Sequence, residues 1–423
     1  MRPEMSAMSD RYGPSGGHPA GRAADSYRAR PAWAEIDLGA VTHNAAVLAA
    51  RAAPARLCAV VKAGGYGHGS VQVARAALAG GATWLAVALV EEGRELRAAG
   101  IAAPILVLSE PPTDAMVEVV EAGLTPTVYT PAGLAALRRA VAEHLRRRPS
   151  PALARWPSPV HVKVDTGMHR VGASPLDALG LAAEVASDPD LELEGFWTHL
   201  AVSDEVDHPF NAVQFERFER ALSDLAGRGV RPAIRHASNS GGTLWLPQGR
   251  YEMVRCGITL YGLSPSGARP EPADLRPAMS LKARVSYAKT VAAGERLSYG
   301  LRYRVAEDSV VATVPLGYAD GIPRRLSAAG GEVLIGGRRC ALAGTVTMDQ
   351  ILVDCGPGAD VRSGDEVVLI GRQGSQTIGA WEWAERTDTI AYEVVCGISG
   401  RVPRVYIDGS WPPSAGPVGR ARP

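Results

Sequence analysis

Cysteine is sparse in this chain, five among 423 residues. Cys58, Cys256, Cys340, Cys355 and Cys396 form no Cys-x-x-Cys pair and lie scattered in apolar segments. That excludes a disulfide scaffold and fits small buried hydrophobes in a reducing compartment. An excess of either charge is missing too: 45 Lys and Arg stand against 44 Asp and Glu. No global field therefore draws the chain to nucleic acid or to an anionic membrane. No apolar run approaches the length of a membrane span, and no solenoid-period repeat or nucleic-acid motif occurs. The first 32 residues are rich in Gly, Pro, Arg and Ser and lack the hydrophobic region of a signal peptide. They read as a disordered extension, and residues 411–423 as a disordered tail. Together these absences predict a cytoplasmic protein.

The rest is globular, 46% hydrophobic and 21% charged, and its length favours two domains. Trp33-Ala-Glu-Ile36 reads as a short strand, and Asp37 can cap the helix that follows. Apolar strands then begin near Leu57, Trp84, Pro104, Leu124, Val160, Leu191, Ala233 and Glu252. Helical stretches separate them, such as Val71–Leu78, Glu91–Ala99, Ala132–Arg146, Leu176–Ala186 and Asn211–Leu225. Eight such units over residues 33–265 predict an α/β fold of (β/α)8 TIM-barrel type, with an open doubly wound sheet as the alternative. Gly262 to about Leu275 reads as a domain boundary. Residues 266–410 then carry short strands at 285–291, 309–314, 331–335, 351–353, 366–370 and 404–407. With one helix, Ile378 to about Arg386 capped by Thr377, they predict a mainly β domain, which the strand at Trp33 can join.

Catalytic groups in a barrel belong at the carboxyl ends of its strands. Lys62 follows the first apolar strand and precedes Gly64, Gly65, Gly67 and Gly69. Such a lysine is partly desolvated, which lowers its pKa and frees the amine as nucleophile or base. Lys163, Asp165 and Arg170 follow the fifth strand, His199 ends the sixth, Asn239 and Ser240 follow the seventh, and Arg255 ends the eighth. Singly, each has an ordinary explanation: a satisfied core histidine, a carboxylate's partner, a helix cap. Together they describe one mouth, with the Ser240 hydroxyl and the Gly257 and Ile258 amides as an anion pocket. A lysine, a phosphate site and an arginine at one mouth suggest pyridoxal 5'-phosphate held as a Schiff base.

The stretch Ala59-Val-Val-Lys-Ala-Gly-Gly-Tyr-Gly-His-Gly69 resembles the signature of alanine racemases, the fold-type III pyridoxal-phosphate enzymes. The similarity continues through Lys163-Val-Asp-Thr-Gly-Met168, Trp197-Thr-His199, Asn239-Ser240 and Val254-Arg-Cys-Gly-Ile-Thr-Leu-Tyr-Gly262. It then takes in Leu297-Ser-Tyr-Gly300, Leu316-Gly-Tyr-Ala-Asp-Gly321, Val346-Thr-Met-Asp-Gln350, Ala391-Tyr-Glu393 and Arg401-Val-Pro-Arg-Val405. The resemblance implies that Lys62 forms the internal aldimine and is one racemising base, with Tyr299 from a second subunit as the opposing base. Tyr66, Ser240, Gly257, Ile258 and Tyr392 would bind phosphate beside Asn239, with His199 and Leu108 against the ring. Arg255 would face the pyridine nitrogen and keep it unprotonated, and Arg170 the phenolic oxygen. Lys163 would carry a carbamate supporting Arg170, and the Met348 amide would hold the substrate carboxylate. Tyr318, Arg324, Asp204 and Asp349 would line the approach. No metal is implied. A homodimer with shared sites, supplying D-alanine for peptidoglycan, follows from the same resemblance.

Three positions depart from the family pattern. Gly64 stands where asparagine is usual, Thr345 where an arginine is common, and His169 where glycine is frequent. The alternatives are a racemase of this fold acting on serine or a broader set, and a cofactor-binding barrel without racemase activity. A pyridoxal-phosphate decarboxylase would want an acidic residue where Arg255 stands.

Overall fold

The structure, a computed structural model, describes residues 30–147, 155–267 and 273–408. The expected terminal extensions therefore lie almost wholly outside the described residues. Within them, Arg30 pairs with Asp320 at 2.5 Å and strand β1 (Ala32–Asp37) begins two residues later.

Eight parallel strands follow β1. They are β2 (Arg56–Val60), β3 (Trp84–Val87), β4 (Ile105–Val107), β5 (Thr127–Val128), β6 (Ser158–Lys163), β7 (Leu191–Trp197), β8 (Ile234–His236) and β9 (Met253–Cys256). Two four-stranded sheets, β4-β3-β2-β9 and β5-β6-β7-β8, are joined at both seams. Leu106 bridges Thr125 between β4 and β5, and the Arg255 amide donates to the Ser238 carbonyl at 2.9 Å between β8 and β9. The ring is closed, which decides against the open sheet. Strands β3 and β4 are apolar throughout because helices cover the outside and side chains fill the inside, whereas β6, β7 and β8 carry polar residues. Cys58, Ala59, Leu85, Ala86, Ile105 and Leu106 are all fully buried.

The helix Leu38–Ala52 starts where Asp37 accepts the Ala40 amide at 2.9 Å, a cap worth about 1 kcal/mol. Strand β1 itself is outside the barrel. It pairs antiparallel with β10 (Met279–Arg284) and parallel with a C-terminal strand, Arg404–Ile407.

The second half builds a ten-stranded, mostly antiparallel sheet that includes β1. Two helices, Ala380–Arg386 and Ala391–Gly397, stand where the sequence suggested one. Thr377 is not a cap: it pairs with Arg372 in a hairpin, and Gly379 takes the cap position. One hydrophobic core runs from β2, β3 and β9 through Tyr261, Met279 and Leu281 into Val333, Val367 and Trp383. That shared core seats Ala391–Gly397 on the turn after β2. A Cβ at Gly67 would overlap the Val395 carbonyl, and Arg404 donates to the Gly67 carbonyl at 2.9 Å. Tyr392 and Cys396 thereby reach the barrel mouth.

Candidate active site

At the end of β2 the backbone turns left-handed, with Ala63, Gly64 and Gly65 at φ of 53°, 60° and 62°. Glycine adopts this without strain and alanine does not. Glu92 holds the strained member in place: its carboxylate accepts the Ala63 amide at 2.6 Å and the Ala88 amide at 2.8 Å. The turn places Lys62 on a cavity of about 580 Å³. Burial lowers the Lys62 pKa, and the nearby Arg170 cation lowers it further.

Tyr66, Leu108, Lys163, Arg170, His199, Asn239, Ser240, Arg255, Gly257, Ile258 and Tyr392 line the same cavity. The Tyr66 ring lies 4.9 Å from that of Tyr261 and 6.3 Å from that of Tyr392. A Cβ at Gly257 would overlap the Tyr66 hydroxyl, so this close approach requires glycine. The Gly257 amide, expected to face an anion, donates here to Ser240 Oγ at 3.0 Å. Asn239 is the cap of Ser240–Trp245, accepting the Gly242 amide at 3.0 Å. Its ordinary reading as a helix cap therefore holds, and it still borders the cavity.

Arg255 is held from behind by a buried chain. Its NH2 donates to the Thr198 and Ala237 carbonyls and, at 3.2 Å, to His199 Nδ1. Burial and the neighbouring Arg255 cation push His199 well below the ordinary histidine range, so it is a neutral acceptor. Arg255 NH1 donates to His236 Nδ1 at 2.8 Å, and His236 Nε2 lies 2.9 Å from His161 Nδ1. An arginine only donates, so His236 accepts at Nδ1 and carries its proton at Nε2. His161 then accepts at Nδ1 and points its own Nε2 proton at Glu194, 3.4 Å away. That contact is long, but both atoms are buried and have no closer hydrogen-bond partner among the described residues. Glu194 is bound in turn by Arg155 at 2.7 Å. A bulge makes the arrangement possible: Val160 pairs with Leu193 and His161 with Gly195, which leaves Glu194 as the extra residue.

Gly195 is the weak point of this chain, because a Cβ there would overlap the His161 ring. Gly195→Ala is expected to lower stability by about 1–3 kcal/mol through overpacking. A urea midpoint equal to that of the parent protein would overturn the packing argument.

Trp197 was not singled out in the sequence, although it sits inside the Trp197-Thr-His199 motif. Its ring lies 4.3 Å from Lys163 Nζ and 4.5 Å from the Arg255 guanidinium. Burial holds Lys163 down at about 7, and Arg255 and Arg170 add repulsion. A large share of Lys163 is therefore neutral amine near pH 7. His161, His236 and Glu194 were also missed as site residues; the signal was polar residues inside strands that are otherwise apolar. Cys396 corrects an expectation, since it is exposed and lines the cavity, while the other four cysteines are buried.

The remaining candidates lie elsewhere on a single chain. Tyr299 is 74% exposed, and Met348 and Tyr318 are exposed as well, all three on the β domain and none lining the cavity. Arg324 lines a separate open cleft with Arg302 and Thr345. Asp349 pairs with Arg401 at 2.7 Å. Asp204 is close enough for its charge to raise the Tyr392 phenol, after burial. Of the three departures, Gly64 has open space around a Cβ at φ +60°. His169 sits at φ 55°, which suits glycine, with Nδ1 3.0 Å from Asp165.

The donor set fits pyridoxal phosphate. An amine of lowered pKa suits an aldehyde, and the hydroxyls of Tyr66, Ser240 and Tyr392 suit an anion. Arg255 Nε, which makes no hydrogen bond among the described residues, can serve a ring nitrogen. Comparison with known proteins agrees. Residues 36–265 match the family model for the alanine racemase N-terminal domain, and residues 278–406 that for the C-terminal domain. An alanine racemase of Symbiobacterium thermophilum is 49% identical over 377 residues, covering 89% of this chain and 97% of the relative. The alanine racemase structure from Streptomyces coelicolor superposes with a TM-score of 0.83 at 39% identity, covering 90% and 98% of the two chains. That from D-cycloserine-producing Streptomyces lavendulae gives 0.82 at 41% identity, covering 90% and 97%.

Proposed function

The chain belongs to the alanine racemase family, and we propose that it interconverts L- and D-alanine with pyridoxal phosphate held at Lys62. The observation that carries this reading is the convergence of Lys62, Ser240, Tyr392 and Arg255 on one cavity at the mouth of a closed barrel. Pyridoxal phosphate, when bound, supplies the electron withdrawal that weakens the substrate's bond to its α-proton. Racemisation then needs one group to take that proton on one face and another to return a proton on the opposite face.

Lys62 Nζ serves one face: burial and the Arg170 cation lower its pKa, which favours the free amine that a base requires. The Tyr299 hydroxyl of a second copy serves the other. The Met348 amide and Arg170 hold the substrate carboxylate, while Tyr66, Ser240, Tyr392 and Ile258 hold the phosphate. Arg255, already charged and tied to His236, donates to the ring nitrogen and withholds a proton from it. Lys163, as a neutral amine, would add carbon dioxide and release a proton to solvent, leaving a carbamate that braces Arg170. Asp204, Tyr318, Arg324 and Asp349 border the approach. Among the described residues no helix is long and apolar enough to cross a membrane. The product fits D-alanine supply for peptidoglycan, made in the cytoplasm.

The purified protein, given pyridoxal phosphate and a panel of L-amino acids in deuterium oxide, should racemise alanine fastest and place deuterium at its α-carbon. Faster turnover of serine or lysine would overturn the substrate assignment. Bound cofactor without α-exchange would leave only a binding protein.

A further inference from the structure

Tyr299 stands in a strained loop. Ser298 has φ 61° and ψ −174°, a region that essentially only glycine occupies. Beyond Tyr299, Gly300 at φ 76° and Leu301 at φ 50° also have positive φ. Such a conformation persists only where its surroundings over-determine it. Here the surroundings are the segment after strand Arg338–Leu342, which carries Thr345. Ser298 Oγ donates to the Thr345 carbonyl at 2.6 Å, and Thr345 Oγ1 donates to the Tyr299 carbonyl at 2.8 Å. The two bonds run in opposite directions and straddle the Ser298–Tyr299 peptide. Arg296 NH1, on the Leu301 carbonyl at 2.9 Å, is the remaining side-chain tie to the loop among the described residues.

The clamp has a rigid base. Gly344 lies so close to the loop that a Cβ there would meet the Leu297 carbonyl and Ser298 Cβ at 2.8 Å each. Behind it, Ser327 Oγ donates to the Gly344 carbonyl at 2.5 Å, and the Ala343 amide bonds the Leu352 carbonyl at 2.8 Å. Ala343 and Leu297 share a small buried cluster with Val305 and Val311. The loop is thus pinned beside inner strands of a packed sheet while its phenol stays outside.

We propose that Thr345 is a positioning residue: its hydroxyl fixes the Tyr299 carbonyl, and so the direction in which the phenol leaves the β domain. The inference rests on the reading of Tyr299 as a base. Thr345 makes no contact with the cavity that holds Lys62. Its effect is expected on the rate of proton transfer rather than on substrate affinity, because a small misplacement of a reacting group costs rate steeply.

Thr345→Val keeps the shape and removes the hydroxyl, and Thr345→Ser keeps the hydroxyl. Both are compared as cofactor-loaded protein, by steady-state kinetics and by amide hydrogen exchange of residues 297–303. The Val variant should lose about tenfold in kcat, the worth of one hydrogen bond, with KM for alanine within about twofold. Its loop should exchange faster, and Ser should restore both readouts. Unchanged kcat and unchanged exchange in the Val variant would overturn the proposal, as would equal loss in the Ser variant. Tyr299→Phe separates the two ideas. If it keeps its kcat, the base assignment falls, while loop exchange in the Thr345 variants still decides the clamp.

Discussion

Lys62→Ala, reconstituted with pyridoxal phosphate, is expected to racemise alanine at least about 10³-fold more slowly than the parent protein, since a positioned base alone contributes about 10²–10⁴. Two features set the size of this effect. The amine sits on the site cavity at the first residue of a left-handed turn that Glu92 and the glycines lock in place. No other amine can take over on the same face, because Lys163, the second lysine on the cavity, lies over Trp197. The substitution should not unfold the protein. Its ammonium is disfavoured by burial and by Arg170, so its loss removes a strained charge. The parent's cofactor should resist dialysis against amine-free buffer, and the variant's should be lost or held only by its phosphate contacts. Retained racemisation in the Ala variant, with its melting temperature unchanged, would remove Lys62 from the mechanism.

The sequence displayed most of the barrel because several of its strands, β2, β3 and β4 above all, are short apolar runs between amphipathic helices, and each of the eight lies within a few residues of its expected place. The site was legible for the same reason. Lys62, His199 and Arg255 are polar residues that closely follow short apolar stretches, Leu57–Val61, Phe196-Trp197 and Met253-Val254. What stayed hidden depends on contacts across strands. Glu194 looks like one more polar residue of an alternating strand, Leu-Glu-Leu-Glu, and only the bulge against β6 turns it toward His161. Cys396 looked like its four buried counterparts, because nothing in Val394-Val-Cys says that this helix end overhangs the turn at Gly67. The β domain was less legible throughout. Its strand Arg338–Leu342 carries charge on exposed positions, and the pattern buries only Cys340 and Leu342. Thr345 gave no sign of its hydrogen bond, which exists because Gly344 lets two backbones meet.

A one-to-one mixture of Lys62→Ala and Tyr299→Phe chains, each nearly inactive alone, is expected to recover about a quarter of the parent activity after co-refolding, if dimers form at random with two-fold symmetry. The geometry of one chain motivates the experiment. Lys62 lines a closed-barrel cavity, whereas Tyr299 is 74% exposed on the β domain and does not line that cavity. A hydrolase-like single-chain site would need the two groups on one cavity; here they become neighbours only if a second copy presents its β domain to the barrel mouth. A two-fold axis does this twice, so each site takes Lys62 from one chain and Tyr299 from the other. In a mixed dimer one site then inherits both substitutions and the other inherits neither. Half of randomly formed dimers are mixed and each has one of its two sites intact, which gives the quarter. Sites built within one chain would recover nothing, because every chain carries a defect. Failure to recover activity in mixed dimers verified by mass would therefore place both bases on the same chain and overturn the shared site.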